Sequence, residues 1–209
     1  MKQGKFLTFE GVDGCGKSTQ MRFLSEYLQE KGLECVVTRE PGGCRISEQV
    51  REILLDVENK GMEDMTEALL YAAARVQHIE EVILPAIRAG KLVLCDRYID
   101  SSVAYQGYGR QLGAEAILRI NQYAANHCMP DLTFFFDYKP AKAFQRMNPH
   151  KEMDRLEQEG EDFYDRVYKG FREIWKANPA RVRRIDVSGT KFETRDRMRA
   201  LIDEVLAQW

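Results

Sequence analysis

Phe6-Leu7-Thr8-Phe9-Glu10-Gly11-Val12-Asp13-Gly14-Cys15-Gly16-Lys17-Ser18-Thr19 is the stretch that decides the fold of this chain. Gly11, Gly16, Lys17 and Ser18 stand at the spacing G-x-x-x-x-G-K-[ST], in which small residues let the backbone curl until successive N–H groups point at phosphate oxygens. Phe6, Leu7 and Phe9 form a short apolar run suited to a buried strand, and Phe23, Leu24, Tyr27 and Leu28 recur beyond the loop at helical spacing. Strand, glycine turn and helix thus follow in the order a phosphate cradle needs. The helix is expected to start at about Lys17 and to aim its free N–H groups at the anion. Lys17 should sit in a solvent-facing site and reach the β and γ phosphates, and Ser18 should ligate Mg²⁺. A glycine turn that merely joins a strand to a helix would not require Lys17 and Ser18.

Working outward, Gly32 stops the first helix and Leu33–Thr38 reads as a second strand. Arg39-Glu40-Pro41-Gly42-Gly43 follows at its carboxyl end, where ligands sit in open α/β sheets, so Arg39 meets an anion there or is a solvated turn charge. Residues 47–55 form a short helix containing Arg51, with Ile46, Val50, Ile53 and Leu54 on one face. A long helical pattern covers 66–89, with Thr66 as its N-cap, Pro85 as a kink and Gly90 as its stop. Arg75 lies within it among Tyr71, Ala72, Ala73, Ala74 and Val76, and is either paired internally or directed into a ligand site. Lys91–Cys95 is a third, buried strand ending in Asp96-Arg97-Tyr98. An Asp at that place can hold Mg²⁺ or its water, and Arg97 can neutralise phosphate charge.

The polar, glycine-rich run 101–109 reads as a recognition loop. Beyond it come a helix over 114–127, a strand over 132–136 ending at Asp137, and a helix opening over 140–146. The charged segment 147–159 is a candidate lid or a solvated loop. Phe163, Val167, Phe171 and Ile174 mark a further helix, 182–187 a last strand and 195–208 a last helix. Strands alternating with helices imply a parallel sheet covered on both faces, five strands in all.

With 209 residues and 44% hydrophobic content, the chain can bury one substantial core, and no linker-like stretch divides it, so a single domain over 1–209 is expected. The net charge of −2 argues against general nucleic-acid binding, which needs a basic surplus. No apolar run approaches membrane-spanning length and the first strand follows the N-terminus directly, so a cytoplasmic protein without a membrane partner is expected. Five cysteines form no C-x-x-C pair, which points to neither a disulfide framework nor a zinc site. Cys15, inside the phosphate loop near Lys17, is either a thiol of lowered pKa or a small residue tolerated there.

Several motifs coincide in a way that resembles the thymidylate kinases, nucleoside monophosphate kinases of P-loop fold. They are Glu10-Gly11-Val12-Asp13 with Gly16-Lys17-Ser18, Thr38-Arg39-Glu40-Pro41-Gly42-Gly43, Tyr71-Ala72-Ala73-Ala74-Arg75, Asp96-Arg97-Tyr98, Ala104-Tyr105-Gln106-Gly107 and Asp154-Arg155-Leu156-Glu157, spread in family order over most of the chain. The resemblance implies a three-layer α/β fold with a five-stranded parallel sheet of order 2-3-1-4-5, a homodimer packed through helices, and phosphoryl transfer from Mg·ATP to dTMP. ATP would lie on Gly11, Val12, Asp13, Gly14, Cys15, Gly16, Lys17, Ser18 and Thr19, with Mg²⁺ on Ser18 and Asp96. Asp13 would take the dTMP 3′-hydroxyl, Arg39 and Arg97 its phosphate, and Tyr71 would stack on thymine. Arg75 and Gln106 would bond the base, with Tyr105 against the sugar and Ser102 also in the site. Lys17, Arg39, Arg97, Arg146, Lys151 and Arg155 would carry charge stabilisation.

Three departures accompany the likeness. Gly14 stands where some members carry an arginine, and the lid over 146–151 is poorer in arginine than the pattern that compensates for it. Cys44 replaces a usual threonine, and Tyr71 a usual phenylalanine. Two other functions compete: a kinase for another deoxynucleotide or a deoxynucleoside, and a P-loop nucleotide switch. The first leaves Arg39 and Arg97 without a dianion if the acceptor is a nucleoside. The second lacks the N-K-x-D segment that reads guanine, since Asn59-Lys60 is followed by Gly61-Met62.

Overall fold

The structure, a computed structural model, describes residues 4–145 and 153–207. Five strands, β1 (Lys5–Glu10), β2 (Cys35–Arg39), β3 (Leu92–Asp96), β4 (Leu132–Asp137) and β5 (Val182–Asp186), form one parallel sheet of order β2-β3-β1-β4-β5. Between and after them run α1 (Lys17–Glu30), α2 (Arg45–Leu55), α3 (Asp64–His78), α4 (Leu84–Arg88), α5 (Ile99–Ser102), α6 (Ala114–Ile120), α7 (Gln122–His127), α8 (Pro140–Phe144), α9 (Glu161–Ala177) and α10 (Lys191–Leu206).

Alternation along the strands divides the core between the two faces of the sheet. Phe6, Val93 and Cys95 pack with Ile79, Ile83, Tyr98 and Cys128, whereas Leu7, Phe9, Leu94 and Phe134 pack with Leu24, Leu28, Met198 and Ile202. Thr8 of β1 is wholly buried, and its hydroxyl is satisfied by that of Thr133 on β4, 2.7 Å away. Because β1 lies between β3 and β4, the order reverses beside it, and the carboxyl ends of β1, β2 and β3 open the crevice where α/β sheets take ligands.

Four expectations change in the folded chain. The run 101–109 is a buried helical segment: α5 continues into wide i→i+5 turns over Val103–Gly109, with Ala104, Tyr105 and Gln106 inside. Its glycines serve close packing rather than turning. A Cβ on Gly109 would fall 2.7 Å from the Phe163 ring, and one on Gly170 of α9 2.8 Å from the Tyr108 ring, so α9 lies directly against this segment. The long helix begins at Asp64, two residues before the expected cap, and wide turns over Ile79–Ile83 precede Pro85 and absorb its missing donor.

The helix over 114–127 breaks at Asn121, whose side chain donates to the Ile117 carbonyl at 2.9 Å. On α2 only Leu54 of the expected face is fully buried; Ile46 and Ile53 are exposed, and Cys44 and Ser47 join Leu54 on the inner side. Smaller shifts affect helix ends. α8 stops at Phe144, and α10 starts at Lys191 because Thr190 and Glu193 close a reciprocal capping box.

Candidate active site

The phosphate loop joins β1 to α1 as its spacing predicts, with Gly16 in a left-handed conformation directly before Lys17. Lys17 differs from expectation, since it is 5% exposed and its ammonium donates to the carbonyls of Gly11 and Val12, both at 3.1 Å. An incoming phosphate would compete with these two carbonyls for the same donors. Cys15 is buried beside it, and burial pushes its thiol up despite the nearby Lys17, which overturns the reading of a lowered pKa.

Strand β3 brings Asp96 to the loop. The Ser18 hydroxyl donates to Asp96 Oδ2 at 3.3 Å, and Asp96 Oδ1 is buried with no hydrogen-bond partner among the described residues. A hydroxyl beside a carboxylate with an unpartnered oxygen is a donor set suited to a hard, oxygen-seeking divalent cation. The next residue, Arg97, holds φ at 68°, a left-handed conformation rare outside glycine. Its amide nevertheless continues the sheet by donating to the Phe9 carbonyl at 3.0 Å, and the following Tyr98 amide donates to Glu10 Oε1 at 2.8 Å.

That backbone turn points the Arg97 guanidinium into the crevice. It donates to the Gly11 carbonyl and Ser101 Oγ at 3.1 Å, to Asp13 Oδ1 at 2.7 Å and to the Tyr105 hydroxyl at 3.3 Å, and it lies over the Tyr105 ring. Tyr105 in turn donates to Asp13 Oδ2 at 3.3 Å. Burial works against a charge on Asp13, but Arg97 and Lys17 prevail and hold its carboxyl well below the usual carboxylate range. Glu10, at the foot of the network, moves the other way. Burial first, and then the charge of Asp100, push it up to about 7, while Ser101 donates to its Oε2 at 2.5 Å.

Arg97 opens into a cleft with about 760 Å³ of empty space, which Asp13, Arg39, Tyr71, Arg75, Ser102, Tyr105 and Gln106 also line. Arg75 is 2% exposed and is both things the sequence allowed, paired internally and turned to a ligand site. Its Nε donates to Glu40 at 2.7 Å, one Nη to Ser102 Oγ at 3.0 Å and the Tyr98 carbonyl at 3.1 Å, and the other to Asn121. Arg39 is half-exposed and bonds Glu48 through both carboxylate oxygens at 2.9 and 2.8 Å.

Of the expected lid, Arg146 and Lys151 lie outside the described residues. Asp154 and Leu156 line the cleft, but Arg155 is buried and turned elsewhere, with Nε on the Leu54 carbonyl at 2.9 Å and Nη2 on Glu67 at 2.6 Å.

Sequence reading named Arg51 and Glu40 without giving them a role, and did not single out Glu67. Arg51 lines the cleft and donates to the Pro41 carbonyl at 2.9 Å. Its signal was its place on the same helical side as Ser47 and Leu54, rather than with Ile46 and Ile53. Glu40 holds Arg75, and Glu67 lies one helical turn before Tyr71 and two before Arg75 on α3, a spacing that puts all three on one face.

A second recess, with about 650 Å³ of empty space, adjoins the phosphate loop between Gly16, Thr19 and Gln20 on one side and Gly189, Thr190 and Thr194 on the other. The two recesses therefore flank Lys17, Ser18 and Asp96, an arrangement able to hold a phosphoryl donor and an acceptor on opposite sides of one cation-rich point.

The family model described as thymidylate kinase matches residues 9–198. A thymidylate kinase of an Exiguobacterium species, strain AT1b, is 49% identical over 183 residues, covering 88% of this chain and 86% of that protein. The thymidylate kinase of Finegoldia magna is 51% identical over 169 residues, 81% of this chain and 83% of the relative. Among solved structures, thymidylate kinase from Ehrlichia chaffeensis superposes with a TM-score of 0.75 at 35% identity, over 95% of this chain and 98% of its own.

Proposed function

The chain belongs to the thymidylate kinase family, and from that membership we propose that it transfers the γ-phosphoryl of ATP to dTMP, giving dTDP and ADP. The observation that carries the reading is the meeting of Arg97, Asp13 and Tyr105 beside Lys17 and Asp96 at the sheet's switch point. Phosphoryl transfer of this kind needs positioning and charge stabilisation rather than a nucleophilic side chain, and the site is rich in both.

In this reading the triphosphate lies along Gly11–Thr19, with its base in the recess beside Thr190, and Lys17 leaves the loop carbonyls for the β and γ phosphates. Ser18 and Asp96 would hold Mg²⁺, directly or through water, and the ion would supply charge neutralisation at the transferring group. Arg97 and Arg39 take the dTMP phosphate, Arg51 extends that cationic wall, and Asp13 takes the 3′-hydroxyl. Tyr71 offers a flat face to thymine, Arg75 a donor to its carbonyl, and Ser102, Tyr105 and Gln106 close the sugar and base site. Arg146, Lys151 and Arg155 share the lid's charge, with Arg155 first having to leave Glu67.

The whole chain, 1–209, works as one kinase domain with a lid over approximately 147–159. It acts in the cytoplasm, without nucleic-acid or membrane partners. A homodimer fits the apolar side chains left exposed on neighbouring helices, Ile46 and Ile53 of α2 and Met65 and Leu69 of α3. No helix among the described residues is long and apolar enough to cross a membrane.

ADP formation from Mg·ATP, followed with no acceptor and then with dTMP, dUMP or dCMP, tests the reading. The expected order is dTMP first, dUMP lower by about 10 to 200-fold for its missing methyl, and dCMP very low. An equal rate with dCMP would leave the kinase chemistry but remove the thymidylate assignment. ADP formation indifferent to any acceptor would favour a nucleotide switch.

A further inference from the structure

Glu67 is wholly buried on α3, yet it does not line the cleft and the transfer reaction as described makes no use of it. Three donors converge on its carboxylate, two from the segment around Val103–Gly109 and one from Arg155. Arg155 Nη2 bonds Oε2 at 2.6 Å, Arg110 bonds Oε2 at 3.1 Å and Oε1 at 3.3 Å, and the Gln106 side-chain amide bonds Oε1 at 2.9 Å. Arg110 is further anchored by Glu159 at 2.5 Å, and Arg155 by the Leu54 carbonyl. Between two guanidinium groups the carboxylate oxygens can only accept, so they decide which end of the Gln106 amide faces them. It must be the NH₂ end. The carbonyl oxygen of Gln106 is then left toward the cleft, and it takes part in no hydrogen bond among the described residues.

We propose that Glu67 is a specificity-positioning residue, which locks the Gln106 amide so that the cleft meets an acceptor and never a donor. This rests on the reading that the cleft takes the acceptor base. A thymine or uracil ring carries a hydrogen on N3 and can donate to that oxygen. Cytosine has a lone pair on N3, so acceptor would face acceptor. A free glutamine could rotate its amide by half a turn and suit either ring, but one held by Glu67 cannot. Arg110, which bonds both carboxylate oxygens, keeps the carboxylate fixed and its lone pairs turned to Gln106 when Arg155 leaves for the lid.

The test is a cycle of four proteins, the unaltered chain, Glu67→Gln, Gln106→Ala and the double variant, each assayed for kcat and KM with dTMP and with dCMP. Glu67→Gln should lower the dTMP/dCMP ratio of kcat/KM by about tenfold, the discrimination one correctly oriented hydrogen bond gives, with KM for ATP unchanged. In the double variant the ratio should be no lower than in Gln106→Ala alone, because Glu67 acts only through Gln106. A Glu67→Gln protein that is less stable but keeps the full ratio would overturn the proposal and leave Glu67 a structural anchor. Equal use of dTMP and dCMP by the unaltered chain would instead remove the acceptor reading on which the proposal stands. Should Glu67→Gln not fold, hydrogen exchange of the Gln106 side-chain amide in the unaltered protein decides. Slow exchange, unaffected by dTMP, is expected, and fast exchange that dTMP slows would place the NH₂ group on the cleft side and refute the lock.

Discussion

The two recesses that flank Lys17 are built in opposite ways. In the cleft beyond Arg97, arginines are held by fixed partners: Arg97 by Asp13, Arg75 by Glu40, Arg39 by Glu48 and Arg51 by the Pro41 carbonyl. The recess beside the phosphate loop is lined mainly by neutral groups and backbone, among them Gly16, Thr19, Gln20, Thr190 and Thr194. A site that must tell one nucleotide from its near relatives has to fix charged and polar groups in place before the ligand arrives. A triphosphate tail, by contrast, can be held by a curled backbone and a helix terminus, and these need little side-chain organisation.

The contrast breaks most sharply at Arg97. Arg97→Ala should cost on the order of 10³ to 10⁵ in kcat/KM for dTMP, because a fixed guanidinium at the transferring group is lost. An unchanged kcat/KM would mean that this network only supports the fold. Next comes Arg75, whose removal leaves Glu40 buried without its main cation. Arg75→Ala should destabilise the protein by about 3 to 5 kcal/mol in denaturant titration, besides weakening dTMP use. A fully stable variant with selective loss of dTMP binding would show that the internal pairing of Arg75 contributes little.

Glu10 sharpens the comparison through pH. Its carboxyl is raised from 4.5 to about 7 in the folded protein, so the proton favours the fold. That contribution is complete below the unfolded pKa and is lost as pH rises through the folded one. Stability should therefore fall by up to about 3 kcal/mol between pH 4.5 and 7, and Glu10→Gln should flatten this slope. Asp13, held low by Arg97 and Lys17, has the opposite sign, and its contribution fades only below pH 3.8, outside that window. A slope identical in Glu10→Gln would assign the titration to another group.

The smallest effect belongs to the other recess. Thr190 caps α10 through a reciprocal box with Glu193, so Thr190→Ala should cost about 1 kcal/mol of stability and leave KM for dTMP unaltered. A changed dTMP affinity would show that the two recesses are mechanically joined.

What the amino-acid sequence determined on its own is everything governed by near neighbours. The phosphate loop, the strand before it and the helix after it are legible because a backbone that curls around an anion needs glycines at set intervals. The strand ends carrying Arg39 and Asp96 are legible because apolar runs stop where the sheet does. Tertiary structure alone decided which faces and which charges pair. Ile46, Ile53 and Leu54 look like core residues by spacing, but only Leu54 is buried, with Cys44 and Ser47 beside it in place of the two isoleucines. The run from Ser101 to Gly109 has a loop's composition, yet α9 buries it, with Gly109 and Gly170 letting the two segments touch. Arg155 reads as a lid cation by its motif, and its bond to Glu67, 88 residues away in the chain, is visible only in the fold. A partner so distant leaves no local pattern, because the pairing is chosen by how strands and helices stack and by the cost of burying any charge unpaired.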